Sequence, residues 1–209
     1  MRGGQGGEAR HKSTLPTPVS GKCPLHGVDN VGTVPAAVVS YLAMQALKPD
    51  LVISAGTAGG FKCRGAGIGD VYLATSFANH DRRIPMPAFE AYGVWAVDAA
   101  PAPRLAAAAG LKSGPVSTGN SMDWHDRDMD AMTVGGACVK EMEAAGVAWV
   151  AHLFGTPLLA LKAVTDIVDG GAPAQDEFLA NLAAATAALH DKLAACLAWL
   201  GEGREVGDL

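Results

Sequence analysis

Short apolar runs alternate with longer stretches of helical periodicity from residue 28 onward. Prolines mark the first boundaries: a helix is predicted to begin near Pro35 and to stop before Pro49, ahead of a buried strand over 51–56. A second strand is predicted over 70–78. The pattern that follows predicts a loop over 80–93, a short helix over 103–111, and a strand and loop over 114–123. The rest predicts a helix over 142–154, a strand from 157 that runs into a polar turn near 170, and a closing helix over 176–200.

Strands and helices alternate along the chain, and the predicted strands are apolar on both faces. Such strands need cover on each side, so we predict an α/β fold of three layers, with a mixed central sheet and helices on both faces. The length of 209 residues fits one domain. We place this domain at 27–203, between a disordered Gly- and Pro-rich leader over 1–26 and a short tail over 204–209.

Composition and charge exclude several function classes. Hydrophobic residues make up 49% of the chain and charged residues 18%, which excludes a largely disordered protein. A net charge of -5 without a basic run argues against nucleic-acid binding, and no window offers the roughly 20 apolar residues of a membrane span. The four cysteines show no metal-binding or redox spacing. We expect a cytoplasmic protein without metal or cofactor; organelle targeting by the leader is less favoured.

The first candidate for chemistry is the small-residue segment Ser54–Gly60, which is predicted to form a turn directly after the first strand. Its glycines allow a ligand to approach the backbone closely, and Thr57 offers a hydroxyl. A purely structural tight turn explains the segment equally well. It matches neither a dinucleotide-binding fingerprint nor a P-loop, so these two classes lose their main support.

The second candidate is the segment Lys140–Glu143, predicted to lie at the start of a helix. Acidic residues in a first helical turn are ordinarily explained by the helix dipole. The alternative is functional, because a glutamate at a helix start beside a strand end can accept two hydrogen bonds from the vicinal diol of a ribose.

The third candidate is Asp166, which follows the strand that begins at residue 157. An aspartate in this position can cap a helix or make a turn, and the pair Asp169-Gly170 is predicted to be such a turn. Asp166 is the better candidate for function. In a partly desolvated crevice its pKa would rise, which suits a general acid.

Six segments occur in an order that resembles the nucleoside phosphorylase superfamily: KPDLVISAGTAGGF, GDVYLA, HDRRIP, STGNSMD, VKEMEAAGVAWVA and LKAVTDIVDG. Within it, the chain is most similar to the 5'-methylthioadenosine/S-adenosylhomocysteine nucleosidases, especially those of plants. The resemblance extends over about residues 27–200. It implies hydrolysis of the N-glycosidic bond of a small purine thionucleoside, in methionine salvage, without a cofactor.

The resemblance also assigns roles to individual residues. Asp166 matches the catalytic acid that holds the adenine and protonates its N7. Glu143 matches the residue that binds the ribose hydroxyls, and Met142 the residue packed against the sugar. This division suits the reaction, because a leaving purine anion needs an acid and an oxocarbenium ion needs electrostatic support at the sugar.

Further substrate-binding positions follow from the same resemblance. Thr57 matches a residue near the sugar and the attacking water, and Asp123 falls where the family contacts the adenine edge with its backbone. Lys162 takes the place of a basic residue near the water. Lys140 and Glu141, in the same segment as the ribose-binding glutamate, complete the expected substrate-binding set.

Ser54 separates hydrolysis from phosphorolysis. Phosphorolytic relatives place an arginine at this position, because phosphate requires charge-assisted donors. Water is therefore the expected nucleophile, and a purine nucleoside phosphorylase is the lesser alternative. A non-catalytic purine-binding or storage-like member of the superfamily is the main competing hypothesis.

The resemblance has one departure and one further implication. Family members begin with sheet strands and a loop glutamate that activates the water, whereas this chain has the Gly- and Pro-rich leader, and Glu8 follows no strand. We therefore expect an amino-terminally truncated domain with impaired activity. Family members are also homodimers, and the apolar loop 84–95 is placed to help close the 5' end of a neighbouring pocket.

Overall fold

The computed structural model describes residues 15–204 and 206–209. Its helices and strands are, in chain order, α1 (Thr33–Leu47), β1 (Val52–Gly60), β2 (Val71–Asn79), α2 (Phe89–Val94), β3 (Val97–Asp98), α3 (Pro103–Ala109), β4 (Lys112–Thr118), α4 (Asp126–Val134), β5 (Val139–Glu141), α5 (Ala144–Phe154), β6 (Leu158–Ile167) and α6 (Ala174–Leu200). Short 3-10 helices lie at Lys62–Arg64 and Val206–Asp208.

The described strands form one mixed sheet in the order β3-β2-β4-β5-β1-β6. β1 runs parallel to β6 and antiparallel to β5, while β4 runs parallel to both β2 and β5. This confirms the predicted mixed α/β fold. The sheet also closes on itself, because Val71–Leu73 of β2 pair antiparallel with Leu161–Ala163 of β6.

Helices cover the sheet through two hydrophobic cores. Leu158 and Ala160 of β6 pack in the core that includes α1 and α5, and the alternate residues Leu159 and Leu161 pack in the core that includes α3 and α6. Successive side chains of a strand point to opposite faces, so both faces of β6 are buried. This is why the run from residue 158 is continuously apolar and easily identified.

The prediction of a turn at Ser54–Gly60 is wrong. β1 continues through this segment to Gly60, which pairs with Ile167 of β6. Glycine usually weakens a strand, but here it provides room for side chains of the neighbouring strand. A Cβ at Gly59 would lie 2.6 Å from Asp166 Oδ2, and one at Gly60 would lie 2.8 Å from Val164 Cγ1.

The prediction that Lys140 and Glu141 start a helix is also wrong. They belong to the three-residue strand β5, which lies between β4 and β1, and α5 begins only at Ala144 with Glu143 as its N-cap. All three residues of this strand are buried, but the strand was not predicted because two of them are charged. Three further elements were not predicted: α2 within the expected loop, the short strand β3, and α4.

The disordered leader over 1–26 and the short tail over 204–209 stay predictions. Within the described residues, 15–26 form no helix or strand, and a single bridge joins Lys22 to Asp29. Residues 1–14, which include Glu8, and residue 205 lie outside the described residues. At the other end, Leu209 is buried and its carbonyl accepts the backbone N–H of Arg104 at 3.0 Å. Within the described part of the chain, no helix has the length and apolar character needed to cross a membrane.

Candidate active site

Four residues form an in-register row across one end of the sheet. Ser117 of β4 pairs with Lys140 of β5, Lys140 pairs with Gly59 of β1, and Gly59 pairs with Asp166 of β6. Asp166 is the penultimate residue of β6 rather than a residue beyond the strand. Because Gly59 carries no side chain, the carboxyl of Asp166 occupies the space beside it.

Asp166 is 7% exposed, and its Oδ1 accepts a hydrogen bond of 2.8 Å from the Thr165 hydroxyl. Burial raises the pKa of Asp166, and the negative charge of Glu177 adds to this effect. The Thr165 hydroxyl and the positive charge of Lys140 act in the opposite direction without cancelling it. This arrangement favours a carboxyl that keeps its proton at higher pH than an ordinary aspartate.

Two side chains of α6 hold the end of β6 in place. Glu177 accepts the backbone N–H of Ile167 at 2.8 Å, and Asn181 donates to the carbonyl of Thr165 at 2.9 Å. The backbone on both sides of Asp166 is therefore fixed by the closing helix. The sequence pattern does not indicate this support, since Glu177 and Asn181 resemble ordinary polar residues on an exposed helix face.

Glu141 and Lys162 form a buried ion pair below this row. Lys162 Nζ lies 2.9 Å from Glu141 Oε2, and the side chains are 2% and 1% exposed. Burial acts to raise the pKa of Glu141, but the charge of Lys162 and the hydrogen bonds from Thr118, Lys162 and the Glu143 backbone outweigh it, so the pKa is lowered. The carboxylate is thus ionised and fully engaged by the protein itself.

The same carboxylate positions the start of α5. Glu141 Oε2 accepts the backbone N–H groups of Glu143 and Ala144 at 2.9 and 2.8 Å, which would otherwise be unpaired at the helix N-terminus. The dipole explanation therefore applies to Glu141, which acts from the strand rather than from within the helix. Met142 and Glu143 remain half-buried beside it, and Glu143 Oε1 accepts the N–H of Gly32 at 2.9 Å.

An open cleft of about 780 Å³ begins at Ile167, the residue after Asp166, and none of the four residues of the row is in its lining. It is lined by the loop 121–124 after β4, by Ile167 and Val168 after Asp166, and by the segment 171–175 before and at the start of α6. Asp123 is exposed on this loop. Lys140 holds the loop by donating from Nζ to the carbonyls of Ser121 and Met122 at 2.8 and 3.0 Å.

Of the predicted site residues in the described part of the chain, Asp123 alone is in the cleft lining, and two of the others lie on β1. Thr57 is half-buried and pairs with Ala163 of β6, and Ser54 is half-buried and pairs with Ala160. The sheet therefore brings Lys140 and Asp166 into one row, with Glu141, Lys162 and Glu143 beside it. Asp169 lies in the predicted turn, in which the backbone N–H of Gly170 donates to the carbonyl of Ile167 at 3.1 Å. Its carboxylate accepts the backbone N–H groups of Lys62 and Cys63.

His80 is a buried polar residue that sequence analysis did not single out. It is 3% exposed, and its Nδ1 lies 3.0 Å from the hydroxyl of Ser117 in the row. Burial and the nearby charge of Lys140 lower the pKa of His80. A Cβ at Gly119 would lie 2.1 Å from its Nε2, so glycine in the STGN segment was the available signal for this close contact.

Comparisons with known proteins agree on the family. A family model described as the phosphorylase superfamily matches residues 17–198. The chain is 48% identical to a 5'-methylthioadenosine/S-adenosylhomocysteine nucleosidase of Arabidopsis thaliana over 189 residues, which is 90% of this chain and 74% of the relative. It is similar to the structure of Arabidopsis thaliana 5'-methylthioadenosine nucleosidase in its apo form, with a TM-score of 0.88 and 46% identity, covering 90% of this chain and 77% of the other.

A bacterial structure extends the likeness. The nucleosidase of Neisseria meningitidis in complex with methylthio-immucillin-A has a TM-score of 0.67 and 26% identity, covering 81% of this chain and 78% of that one. The resemblance inferred from six segments of sequence is thus confirmed over most of the chain. The chain belongs to the phosphorylase superfamily and, within it, to the 5'-methylthioadenosine/S-adenosylhomocysteine nucleosidases.

Proposed function

We propose that the protein hydrolyses the N-glycosidic bond of 5'-methylthioadenosine to adenine and the thio-ribose, and that S-adenosylhomocysteine is a second candidate substrate. The observation that carries this proposal is Asp166, a buried carboxyl with a raised pKa whose neighbour Ile167 lines an open cleft. The names of the similar proteins supply the substrate class. We further propose that the reaction belongs to methionine salvage and takes place in the cytoplasm.

In this proposal Asp166 is the general acid. It donates its proton to N7 of the adenine while the bond between the ribose C1' and the purine N9 breaks. The bonding electron pair leaves with the purine, which departs as neutral adenine once protonated. A carboxyl whose pKa is raised by burial suits this step, because it is protonated in a larger fraction of molecules near neutral pH.

The sugar end of the proposed site is built around Glu143. Its carboxylate is held beside Met142 at the start of α5 and is already fixed on one side by the N–H of Gly32. The free lone pairs can accept hydrogen bonds from the ribose 2'- and 3'-hydroxyls. The negative charge also supports the positive charge that develops on the ribose as the glycosidic bond breaks.

Ser54 favours water over phosphate as the nucleophile, because it offers no cation to hold a phosphate group. Water adds at C1' and must lose a proton. At the described site Glu141 is paired with Lys162, Glu143 faces Gly32, and Asp166 has the acid role. None of these carboxylates is placed to be a separate base, so we propose that the protein hydrolyses its substrate slowly.

The variant Asp166→Asn tests the acid role. The amide still offers a hydrogen bond to the base but has no acidic proton, so we expect release of adenine to fall by about 10²-fold or more while adenine binding stays measurable. Adenine release is measured with a coupled assay, and adenine affinity by calorimetry on the same preparations.

Asp169→Asn is the matched control, because Asp169 lies three residues further along the chain and its carboxylate binds Lys62 and Cys63. It should retain turnover. Equal turnover by the wild type and Asp166→Asn, with both shown to be folded by circular dichroism, would refute the assigned role.

We also propose that the protein is a homodimer in which the loop 84–95 contributes to the neighbouring pocket. Phe89 and Tyr92 of α2 are 48% and 49% exposed, which leaves them available to a partner. Trp95 differs, since it packs against the core and lies edge-on to His152. Sedimentation should show a dimer at micromolar concentration that Phe89→Ser weakens; a wild-type monomer contradicts the proposal.

A further inference from the structure

Lys140 is buried in the middle of the row that ends at Asp166. The residue is 6% exposed, although a lysine ammonium is costly to remove from water. Burial lowers the pKa of Lys140, and four carboxylates oppose this effect: those of Asp166, Asp123, Glu141 and Asp128. A buried cation at this position therefore needs a reason beyond packing.

One contact of Lys140 reaches the cleft. Nζ donates to the carbonyls of Ser121 and Met122, at 2.8 and 3.0 Å. These are consecutive residues of the loop that lines the cleft and leads to Asp123. Fixing both carbonyls by one ammonium fixes the peptide between them, and with it the direction of the backbone that faces the cleft.

The other interaction of Lys140 crosses the sheet. Gly59 separates Lys140 from Asp166 in the row and carries no side chain. The positive charge of Lys140 consequently acts on Asp166, where it opposes the effect of burial. The charged and polar groups that face Asp166 are Lys140 from β5, Glu177 from α6 and the neighbouring Thr165 hydroxyl.

We propose that Lys140 is a positioning residue that fixes the base-facing loop at Ser121 and Met122 while presenting its charge to Asp166 across Gly59. This inference rests on the proposed function, because it takes the loop as the contact surface of the base and Asp166 as the proton donor. One side chain then sets both where the base lies and how readily the acid releases its proton.

Lys140→Gln and Lys140→Arg separate the two roles. Loss of two hydrogen bonds from a charged donor should weaken adenine binding in Lys140→Gln by about tenfold or more. The alkaline limb of kcat/KM should move to higher pH in this variant, because Asp166 without a facing cation stays protonated further. Lys140→Arg keeps the charge, so its alkaline limb should stay where the wild type has it.

Adenine affinity is measured by calorimetry, and the pH profile by single-turnover adenine release with protein in excess. The matched control is Lys192→Gln, which removes an ammonium that donates to the carbonyl of Ala109 at the end of α3. It should leave affinity and pH profile unchanged. If Lys140→Gln does not fold, Lys140→Arg decides: an alkaline limb displaced to higher pH despite the retained charge overturns the proposal.

Failure of the inference and failure of the function are distinguishable. A wild type that binds and releases adenine, together with a Lys140→Gln variant of equal affinity and equal pH profile, overturns the inference alone. A wild type that neither binds adenine nor releases it from 5'-methylthioadenosine overturns the proposed function and the inference with it.

Discussion

Removing Lys162 should destabilise the protein more than any surface substitution. The variant Lys162→Met keeps most of the length of the side chain and deletes its charge. Glu141 then stays buried without a cation, still accepting the Thr118 hydroxyl at 2.5 Å and the two N–H groups at the start of α5. These neutral donors cannot replace the charge that the lysine supplied from 2.9 Å.

The expected loss follows from burial of the pair. Both side chains are at most 2% exposed, and removing one partner of such a pair costs about 3–5 kcal/mol. Native proteins have about 5–15 kcal/mol of stability in total. For a chain of this length, 1 kcal/mol corresponds to about 2–4 °C in Tm, so a decrease of roughly 6–20 °C is expected.

Urea and thermal unfolding of three proteins measure the effect: the wild type, Lys162→Met, and Lys162→Met combined with Glu141→Gln. Glutamine keeps an oxygen that can accept the N–H groups of α5 but has no charge, so the double variant should recover more than half of the loss. A single variant within about 1 kcal/mol of the wild type, or a double variant no better than the single, refutes the reasoning.

The pair also predicts the pH dependence of stability. The pKa of Glu141 is lowered in the folded state, so its contribution is present above the ordinary glutamate value of 4.5 and is lost as pH falls below it. In Lys162→Met the unpaired carboxylate takes up a proton more readily. The difference in stability between the two proteins should therefore shrink on acidification, which unfolding curves at several pH values measure.

Two further outcomes are expected. Gly59→Ala should lower the rate of adenine release at least about tenfold and the free energy of unfolding by about 1–3 kcal/mol. The reason is that the new Cβ would lie 2.6 Å from Asp166 Oδ2 and 2.8 Å from Val168 Cγ2. Gly67→Ala is the control, because its Cβ would make an ordinary contact of 3.4 Å with Asp70 Oδ2. The 209-residue protein should hydrolyse 5'-methylthioadenosine much more slowly than the Arabidopsis thaliana relative, and adenine should raise its Tm in a thermal melt. Equal turnover by the two proteins would contradict the slow reaction.

Several elements could be predicted because a local apolar pattern indicates that they are buried. Residues 158–161 are apolar on both faces and lie in two cores, so the strand was evident. Gly110 ends α3 in the left-handed conformation, as a glycine after a helical run predicts. The order of six segments predicted the family, and the family comparison confirms it.

Other elements depend on partners that are distant in sequence. β5 contains Lys140 and Glu141, and charged residues normally argue against a buried strand. Here the charge of Glu141 is met by Lys162, 21 positions away, and the ammonium of Lys140 by carbonyls 18 and 19 positions away. The closure of the sheet by β2 and β6 has the same character, since no local pattern specifies it.

The two buried carboxylates show why residue type alone did not define the site. Glu141 and Asp166 are both less than 10% exposed at the same end of the sheet. Glu141 has a lysine in direct contact and several donors, so its pKa is lowered and it serves the backbone of α5. Asp166 has its cation across Gly59 and, among the described residues, one hydroxyl donor, so burial prevails and its pKa is raised. Environments that shift the pKa values of two carboxyl groups in opposite directions distinguish a structural anion from a proton donor. Here the distinction depends on the placement of Lys162 beside Glu141 and of Gly59 beside Asp166.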